Sequence, residues 1–436
     1  MNRFWFGLVF LVAAFVGCDD GFEDYSYSPD DLLAFSADTV VFDTIVSAVR
    51  TPFGAFMVRN WHDKALLISS ISLANGANFR INVDGRAVAV GGALSNVEIL
   101  ANDSLYVLVV AQPMLNNLDE PREILDHIVF VTNGVTQSVV LQAVAQDAEI
   151  CTAGMNIATD ATLGSAKPYV IYDSLVVQAG ATLTIPAGAR LYMHDKAEIV
   201  VCGTLQLLGT EANPVTIRGD RFDRMVGIPY DRIPGQWGGI WFDSQSYNNV
   251  IEHARIRNGS QGLTFANADT ILPKLSMRNT ILTNFKGMLV SATNCRMEFD
   301  RCELSNARDG LLHLNGGKYT VNHCTIANYY FNGRAEYGWG NTKDETVFLR
   351  DNTQATFENT IIWGANYTST SKISFAENAE NLHYLFRNCL TEKDPKFRII
   401  MSEDPAKAEF IYDFRLQAGS PALLGGGEYI GCYPAD

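Results

Sequence analysis

A four-residue phrase recurs through the second half of this 436-residue chain. Each copy consists of an apolar residue, a polar residue, then Asn, Arg or His, and finally a small residue. The copies begin at Ile251, Met277, Phe299, Val321, Phe357 and Phe386. Their spacings are 26, 22, 22, 36 and 29 residues. A base period of about 22 residues indicates one structural unit stacked on itself.

The apolar residues of each unit lie on both sides of its third residue. In the second copy, Met277 stands two positions before Asn279, and Leu282 stands two positions after Thr280. This spacing fits short strands that point side chains inward on both sides of a bend. Helical repeats need roughly 33 to 47 residues, and leucine-rich repeats have Leu at fixed positions. Neither pattern is present, so the units predict coils of short parallel strands stacked at about 4.8 Å.

The repeat resembles the single-stranded right-handed parallel β-helix, or pectate-lyase-like, superfamily. Segments at both ends of the repeat look like the first and last coils of exported β-helix proteins, and they lie at 174–189, 198–210, 235–242 and 413–422. The resemblance therefore implies a right-handed parallel β-helix over residues 149–436.

The resemblance also implies that Asn at the bend stacks into an amide ladder. The chain has Asn at this position in three copies and His or Arg in the others: Asn279, Asn359, Asn388, His253, Arg301 and His323. The His and Arg residues are either a basic strip on one edge of the solenoid or substitutions at a tolerant turn. We favour the second interpretation, because isolated motif matches are weak evidence of function.

Residues 35–148 lack the repeat and contain alternating apolar segments separated by turn signals such as Asn133-Gly. About seven short strands in about 110 residues predict an antiparallel β-sandwich of immunoglobulin-like type. The phrases at 38–44, 102–107 and 142–147 are similar to N-terminal sandwich modules of Bacteroidetes surface lipoproteins. We therefore expect an all-β protein in which an immunoglobulin-like sandwich precedes the β-helix.

The beginning of the chain predicts export and lipidation. Residues 1–17 have a basic start and an apolar run too short to span a bilayer, as in a signal peptide. The end of this segment resembles a bacterial lipobox, with Phe15 in place of the usual Leu, which implies that Cys18 is the lipid attachment site. Residues 18–34 predict an acidic flexible tether. They resemble the surface-export signal of Bacteroidetes lipoproteins, which implies the outer face of the outer membrane; a periplasm-facing position is the alternative.

Charge and cysteine content narrow the possible partners. The net charge of −15 argues against nucleic acid, because phosphate binding needs clustered Lys and Arg. Of eight cysteines, Cys18 is assigned to lipid, and the odd remainder does not indicate a full disulfide framework. Cys302 and Cys324 lie one coil apart, where parallel Cα–Cβ vectors disfavour a bridge, so we expect free stacked thiols. Without a CxxC pair or an HExxH motif, the sequence predicts no cofactor and no metal site.

The acidic and basic clusters do not reproduce a catalytic motif of the superfamily, so the sequence predicts no catalytic residue. One cluster spans 218–224 with Asp231, and the other spans 298–309. The longest step of the repeat contains an insertion rich in aromatic residues and glycine, where a rigid solenoid usually has its binding surface. The candidate ligand-binding residues there are Tyr329, Tyr330, Tyr337 and Trp339.

Two functions are compatible with these features. The first is a lipid-anchored cell-surface protein that acts as a non-enzymatic binding or adhesion scaffold towards glycans or surface partners of a host or cell. The alternative is a carbohydrate-active enzyme, a polysaccharide lyase or glycoside hydrolase, as the superfamily resemblance implies. The absence of a catalytic motif favours the first.

Overall fold

The computed structural model describes residues 24–47, 49, 51–225, 228–330, 346–364, 373–376, 381–399 and 412–434. The predicted signal peptide and lipidation site, together with Tyr337 and Trp339, lie outside the described residues. The described part is all-β, and its helical content is a short 3₁₀ turn at Tyr230–Arg232. Within these ranges no helix is long and apolar enough to cross a bilayer.

The described chain forms two compact units. Unit 1 extends to Leu115 and continues over Arg122–Ala145, whereas unit 2 consists of Asn116–Pro121 and the chain from Gln146 onward. The strands of unit 1 are β1 (Ala34–Phe35), β2 (Thr39–Val46), β3 (Gly54–Arg59), β4 (Leu66–Leu73), β5 (Phe79–Val83), β6 (Arg86–Ala87), β7 (Ala93–Leu94), β8 (Val97–Ile99), β9 (Ser104–Ala111), β10 (Arg122–Thr132) and β11 (Val135–Gln146).

Unit 1 contains two sheets that share one hydrophobic core. Sheet 1 has the order β1-β3-β9-β5-β6, with antiparallel neighbours throughout. Sheet 2 has the order β2-β11-β10-β4-β7, and β8 also pairs with β4. Strand β10 alternates between buried and more exposed residues, which places Ile128 and Phe130 in the core. The rings of Phe56 in sheet 1 and Phe130 in sheet 2 lie 6.4 Å apart, so the two sheets pack together.

Unit 2 is built from short strands. They are β12 (Glu149–Cys151), β13 (Met155–Ile157), β14 (Ala161–Thr162), β15 (Tyr169–Ile171), β16 (Leu175–Val177), β17 (Thr182–Pro186), β18 (Arg190–Met193), β19 (Glu198–Val201), β20 (Thr204–Leu208), β21 (Val215–Gly219), β22 (Arg224–Met225), β23 (Ile228–Pro229), β24 (Gly239–Phe242), β25 (Asn249–Glu252), β26 (Ala254–Arg257), β27 (Leu263–Phe265), β28 (Leu275–Arg278), β29 (Ile281–Phe285), β30 (Val290–Asp300), β31 (Glu303–Ala307), β32 (Leu312–Asn322), β33 (Thr325–Asn328), β34 (Val347–Leu349), β35 (Thr353–Glu358), β36 (Ile361–Gly364), β37 (Ile373–Phe375), β38 (His383–Arg387), β39 (Phe397–Ile399), β40 (Asp413–Leu416), β41 (Leu423–Gly425) and β42 (Glu428–Tyr429).

Two large parallel sheets dominate unit 2. Sheet 3 has the order β12-β15-β18-β21-β26-β29-β31-β33-β36. Sheet 4 contains the other strands from β13 to β38 except β22 and β23, which pair with each other. Within both large sheets each strand pairs in parallel with an equivalent strand further along the chain, as β29 does with β31.

The recurring phrase defines one column of this register. Its first residues are direct partners in the pairs Ile251–Met277, Met277–Phe299, Phe299–Val321, Val321–Phe357 and Phe357–Phe386. The first five of these residues are at most 1% exposed. Because the longer steps leave the pairing intact, the extra residues are insertions between coils.

The third residue of the phrase is a bend with left-handed backbone in all six copies, where φ lies between 46° and 53°. Most side chains disfavour this conformation, whereas Asn tolerates it through its short polar side chain. The amide of Asn388 donates to Asn359 Oδ1 at 2.7 Å, and that of Asn359 donates to Asn322 Oδ1 at 3.2 Å. The predicted bend is confirmed, and Arg301 is a bend residue like the others.

The small residues that follow the bend are buried in the first five copies of the phrase, and Cys389 in the sixth copy is partly buried. All seven cysteines of the described chain are free thiols. The backbone N–H of Cys302 donates to the sulfur of Cys324 at 3.4 Å, so the two side chains stack in neighbouring coils. Burial raises the pKa of the Cys324 thiol well above its ordinary value. Both thiols therefore act as small interior groups in unit 2.

Candidate functional site

The described members of the predicted ligand-binding set lie in the protein interior. The side chains of Tyr329 and Tyr330 are 4% and 1% exposed. Tyr329 packs among aromatic rings of the C-terminal strands and the residue before them: Phe397, Tyr412 and Phe414. In this structure both tyrosines serve packing, and neither ring lies at a surface where a ligand would stack.

The acidic and basic cluster at 298–309 is divided between different faces. Glu298 is exposed on sheet 4, whereas Glu303 is buried on sheet 3. The intervening charges pair with their sequence neighbours: Arg301 with Asp300 at 3.0 Å, and Arg308 with Asp309 at 3.0 Å. Of the charged residues in this cluster, only Glu303 lines the cavity on sheet 3 that is described below.

The charged residues of the cluster at 218–224 also pair with other residues of the protein. Arg218 is buried and lies 4.3 Å from the centre of the Phe222 ring. Asp220 contacts Nδ1 of His194 at 2.7 Å. Arg221 lies 3.7 Å from the Tyr230 ring centre and pairs with Asp223. These contacts pack the segment before Arg232 without making an open cleft.

A cavity of about 390 Å³ lies on the outward face of sheet 3. Strands β26, β29 and β31 line one part of it, and residues of the C-terminal segment line another. Its polar lining comprises three arginines, two acids, three asparagines and a threonine: Arg232, Arg257, Arg415, Glu303, Asp413, Asn258, Asn284, Asn306 and Thr283. Its other lining residues are Ile281, Tyr412, Phe414 and Tyr433.

The parallel register explains why these side chains converge. Arg257 is the direct partner of Thr283, and Ile281 is the direct partner of Glu303. Since side chains alternate between faces along a strand, the partners of an outward residue also point outward. Polar residues of three successive coils therefore meet in one place, although 46 positions separate the numbers of Arg257 and Glu303.

Asparagines at the ends of the lining strands form a second ladder, and the ladder is interrupted at the cavity. The amide nitrogen of Asn284 donates to Asn258 Oδ1 and to the backbone carbonyl of Arg232, both at 2.8 Å. The oxygen of the next asparagine, Asn306, accepts from the backbone N–H of Tyr329 at 3.0 Å. Asn284 Oδ1 is buried and has no hydrogen-bond partner within the described ranges.

The arginines of the cavity differ in their hydrogen-bond partners. Arg415 donates to Asp413 at 2.6 and 2.9 Å, and this interaction lowers the pKa of the Asp413 carboxyl. Arg232 has a buried Nη1 that finds no partner among the residues that the structure describes. A buried guanidinium nitrogen without an acceptor is costly. Arg232 Nη1 and Asn284 Oδ1 are thus a buried donor and a buried acceptor without partners among the described residues.

Glu303 is held by two hydroxyl groups. Tyr433 donates to its Oε2, and Ser305 lies 2.7 Å from its Oε1. The same Ser305 oxygen lies 2.7 Å from the hydroxyl of Thr283, so a chain of hydroxyls leads from the lining to the carboxylate. Burial raises the pKa of Glu303, and the negative charge of Asp413 adds to the shift.

Chemically, this cavity can bind a polar ligand through several convergent groups. Nine of its thirteen lining residues are polar or charged, whereas most small-molecule sites are lined mainly by hydrophobic and aromatic side chains with a few polar groups. Among the described residues no group of three or more His, Cys, Asp or Glu side chains is placed to hold a metal ion. The groups that the cavity presents to a ligand are guanidinium, amide, carboxyl and hydroxyl groups.

A second cavity of about 490 Å³ lies along β32, β35 and β38. Its outward lining follows the register, with Lys318 beside Gln354 and Gln354 beside His383. This cavity lacks the converging arginines and the interrupted ladder, so the cavity on sheet 3 is the stronger candidate site.

The sequence contained one signal for the site that the recurring phrase did not include. Asn258, Asn284 and Asn306 are 26 and 22 residues apart, which are the same steps as those of the first bend column. A second column of Asn with the same period predicts a second bend. No sequence pattern predicts that Arg232 and Tyr433 belong to the site, because both residues lie outside the periodic positions.

No protein-family model matches the chain, and no curated protein sequence matches it either. Solved structures show only weak similarity. The catalytic unit of a thermostable GH87 alpha-1,3-glucanase from Streptomyces thermodiastaticus is similar over 80% of this chain and 92% of that one, with 10% identity and a TM-score of 0.20.

Two further structures match shorter parts of the chain. A PapD-like domain of human CEP192 matches over 27% of this chain and 85% of that one, with 8% identity and a TM-score of 0.18. The VesB protease of Vibrio cholerae matches over 27% of this chain, with 12% identity and a TM-score of 0.18, and the match spans about a third, 32%, of its length. Similarity at this level carries no argument about activity.

Proposed function

We propose that this chain is a lipid-anchored surface protein that binds a saccharide, without turnover, in the cavity on sheet 3. In this proposal residues 1–17 are a cleaved signal peptide, Cys18 carries the lipid and 18–34 are the tether. Residues 35–148 form an immunoglobulin-like sandwich, and residues 149–436 form a right-handed single-stranded parallel β-helix. The anchor holds the protein on the outer face of the outer membrane.

The observation that carries the binding proposal is the convergence of polar side chains in one cavity, where two of the lining residues each have a buried atom without a hydrogen-bond partner within the described chain. Arg232 Nη1 and Asn284 Oδ1 are both buried without a hydrogen-bond partner in the described part of the chain. Groups of this kind are rare, because an unsatisfied buried donor or acceptor costs about 1–3 kcal/mol. A ligand that draws the side chains of Arg232 and Asn284 towards the cavity supplies both partners and removes this cost.

Both carboxyl groups of the cavity already have hydrogen-bond partners within the protein, which favours a binding function over catalysis. Asp413 is paired with Arg415, and Glu303 accepts hydrogen bonds from Tyr433 and Ser305. Acids held in this way stabilise the walls of the cavity. Saccharides fit the proposal because their many hydroxyl groups both donate and accept hydrogen bonds.

A panel of acidic and neutral polysaccharides and oligosaccharides, assayed for binding and for cleavage, tests this function. We expect binding of at least one member without turnover, and weaker binding by the Asn284→Leu variant, which removes the amide oxygen at a similar side-chain volume. Circular dichroism of the variant controls for folding. The proposal is contradicted if the wild-type chain binds none of the saccharides, or if the Asn284→Leu variant binds them as well as the wild type does.

The second candidate is a carbohydrate-active enzyme, and one observation favours it. Glu303 lies in the cavity with a raised pKa, which is a property of general acids. The test is whether the wild-type chain cleaves a polysaccharide, and whether Glu303→Gln loses this activity while Glu298→Gln retains it. That result would establish this alternative and contradict the non-enzymatic proposal.

The anchor is tested separately in cells. Metabolic labelling with a palmitate analogue should mark the wild-type chain but not the Cys18→Ala variant. External protease should degrade the protein on intact cells if it faces outward. Protection on intact cells, with degradation after lysis, would instead indicate the periplasm-facing arrangement.

A further inference from the structure

We infer that one end of unit 1 lies against the surface of a zwitterionic phospholipid bilayer and contacts it through four exposed side chains, Tyr27, Leu32, Trp61 and Leu100. These four residues are called the anchor-end patch. The patch belongs to unit 1, whereas the saccharide cavity belongs to unit 2. The inference rests on the lipid anchor of the proposed function.

Several connections of unit 1 meet at one end of its two sheets. Strands β3 and β8 end there, β4 and β9 begin there, and β1 begins beside the end of β3. Strand β11 also begins at this end, because its hairpin partner β10 ends beside the start of β4. The last strand of unit 1 therefore runs away from this end.

The start of the described chain is fastened to the same end. The backbone N–H of Ala65 donates to the carbonyl of Asp24 at 3.1 Å, and Ser26 donates to the carbonyl of Ala65 at 2.9 Å. The side-chain amide of Asn133 donates to the carbonyl of Ser28 at 2.8 Å. This part of the predicted tether therefore packs against unit 1.

A short stretch of chain separates this end of unit 1 from the predicted lipid. Asp24 is six positions after Cys18, and six residues span at most about 20 Å. A lipid on Cys18 therefore keeps this end within about 20 Å of the bilayer surface. Contact between the two is then an intramolecular event, so even a weak patch can be occupied.

The anchor-end patch is made by three neighbouring segments. The His62 ring contacts the carbonyl of Leu32 at 3.0 Å, and the Asn60 amide donates to the carbonyl of Leu100 at 3.0 Å. The exposed fractions of the four patch side chains are 79% for Tyr27, 60% for Trp61, 44% for Leu32 and 41% for Leu100. Trp and Tyr are enriched at membrane interfaces, because their rings are apolar with one polar group.

The charges beside the patch favour a zwitterionic surface. Lys64 pairs with Asp24 at 2.8 Å, and Arg59 lies 5.1 Å from the centre of the Trp61 ring. Three more aspartates are exposed at this end: Asp30, Asp63 and Asp103. Because the acids outnumber the bases, anionic headgroups would repel this end. The patch therefore binds through apolar contacts at the level of the headgroups.

Quenching of tryptophan fluorescence by brominated phosphatidylcholine tests the contact. The lipid-modified full chain is reconstituted on vesicles of this lipid and on vesicles of ordinary phosphatidylcholine. We expect the brominated vesicles to quench the fluorescence, and Trp61→Phe should lose most of this quenching. Trp241→Phe is the matched control, because Trp241 is 36% exposed but belongs to sheet 4 of unit 2. The inference is overturned if both variants lose the quenching equally, or if Trp61→Phe retains it.

A second pair of variants tests whether the apolar side chains make the contact. The double variant Leu32→Ser and Leu100→Ser should reduce the quenching, whereas Leu272→Ser should not, because Leu272 is 47% exposed on unit 2. Circular dichroism controls for folding. Unchanged quenching in the double variant contradicts the role of the patch.

Vesicles that also contain phosphatidylglycerol test the preference for zwitterionic lipid. Addition of this anionic lipid should reduce the quenching, because the exposed aspartates are repelled. Equal or stronger quenching overturns the headgroup preference.

The outcomes separate this inference from the proposed function. A chain whose intact mass shows no lipid lacks the proposed anchor, and the inference then fails with it. A chain that carries lipid and sits on vesicles without quenching of Trp61 has the anchor, and only the inference fails. Saccharide binding in the cavity on sheet 3 is measured independently of both results.

Discussion

The phenol of Tyr433 donates a hydrogen bond to the carboxylate of Glu303, which lies 130 positions earlier in the chain. Glu303 belongs to a strand of the parallel stack, whereas Tyr433 follows the last strand of the chain. The backbone N–H of Cys432, beside Tyr433, also donates to Thr325 Oγ1 at 3.1 Å. The C-terminal segment is thus fastened to the outward face of sheet 3 at the edge of the candidate site.

Removal of the Tyr433 hydroxyl should destabilise unit 2. Tyr433→Phe leaves Glu303 with one hydroxyl donor fewer, and a hydrogen bond to a charged group contributes about 1.5–3 kcal/mol. Urea unfolding followed by circular dichroism measures the loss. Tyr429→Phe is the control, because the contact that Tyr429 makes with His323 is through its ring and survives the substitution. A similar loss in both variants would show that the bond to Glu303 is not responsible.

The stability difference between Glu303→Gln and wild type should depend on pH. Burial raises the pKa of Glu303, so the folded chain binds this proton more tightly than the unfolded chain does. The stability from this group is complete below the unfolded pKa and is lost as pH rises through the folded pKa. The variant should therefore gain stability relative to wild type as pH rises above the ordinary carboxyl pKa of about 4.3 and through the raised pKa of the folded state.

Urea unfolding at several pH values measures this trend, with Glu298→Gln as the control. Glu298 is exposed on sheet 4, and its substitution should leave the difference flat over the same pH range. If the difference in the free energy of unfolding between Glu303→Gln and wild type is also independent of pH, burial does not destabilise the ionised Glu303 carboxylate.

Arg301→Asn should stabilise the protein. Arg301 has a φ of 51°, and left-handed backbone costs an ordinary L-residue roughly 1–2 kcal/mol, a cost that Asn largely avoids. We expect a gain of about 0.5–1 kcal/mol in the free energy of unfolding. Arg278→Asn makes the same chemical change at an exposed position of strand β28 that lacks a positive φ, and it should give no gain.

Phe357→Ala should destabilise the last coils. Phe357 is fully buried and stacks on Phe386 with ring centres 4.9 Å apart. Truncation of a buried Phe costs about 3–5 kcal/mol through lost burial and the cavity left behind. Chemical denaturation measures the cost, and Tyr384→Ala, at a side chain that is 50% exposed, should cost clearly less.

The stacked thiols should be unreactive in the folded protein. Cys302 and Cys324 are fully buried, and the raised pKa of Cys324 disfavours its thiolate. Maleimide labelling followed by peptide mapping should modify the partly exposed Cys202 well before either of them, and all three after unfolding. A disulfide-linked peptide containing Cys302 and Cys324 under non-reducing conditions would contradict the prediction of free thiols.

The register of the recurring phrase could be derived from the sequence because it depends on local patterns. An apolar residue at Met277 and another at Phe299, one period apart, can both be buried only if the coils stack in register. The bend at Asn279 is equally local, because its conformation depends on the residue itself. The parallel sheets of unit 2 were therefore predictable.

The insertion was harder to interpret from composition. Tyr329 and Tyr330 follow strand β33 directly, and their place in an insertion rich in aromatic residues predicted exposed ligand contacts. In the structure Tyr329 instead meets Phe414 from the C-terminal segment and is buried. Composition does not reveal whether a distant segment returns to cover a ring.

The sequence by itself determined the period, the bends and the inward residues of unit 2, because each follows from the alternation of side chains and the tolerance of Asn for left-handed backbone. Only the tertiary structure decided where the candidate site lies. Arg232, Asn284 and Tyr433 belong to a turn, a strand and the end of the chain, and no period relates them. Their meeting on sheet 3 depends on how the chain outside the repeat packs against the stacked coils.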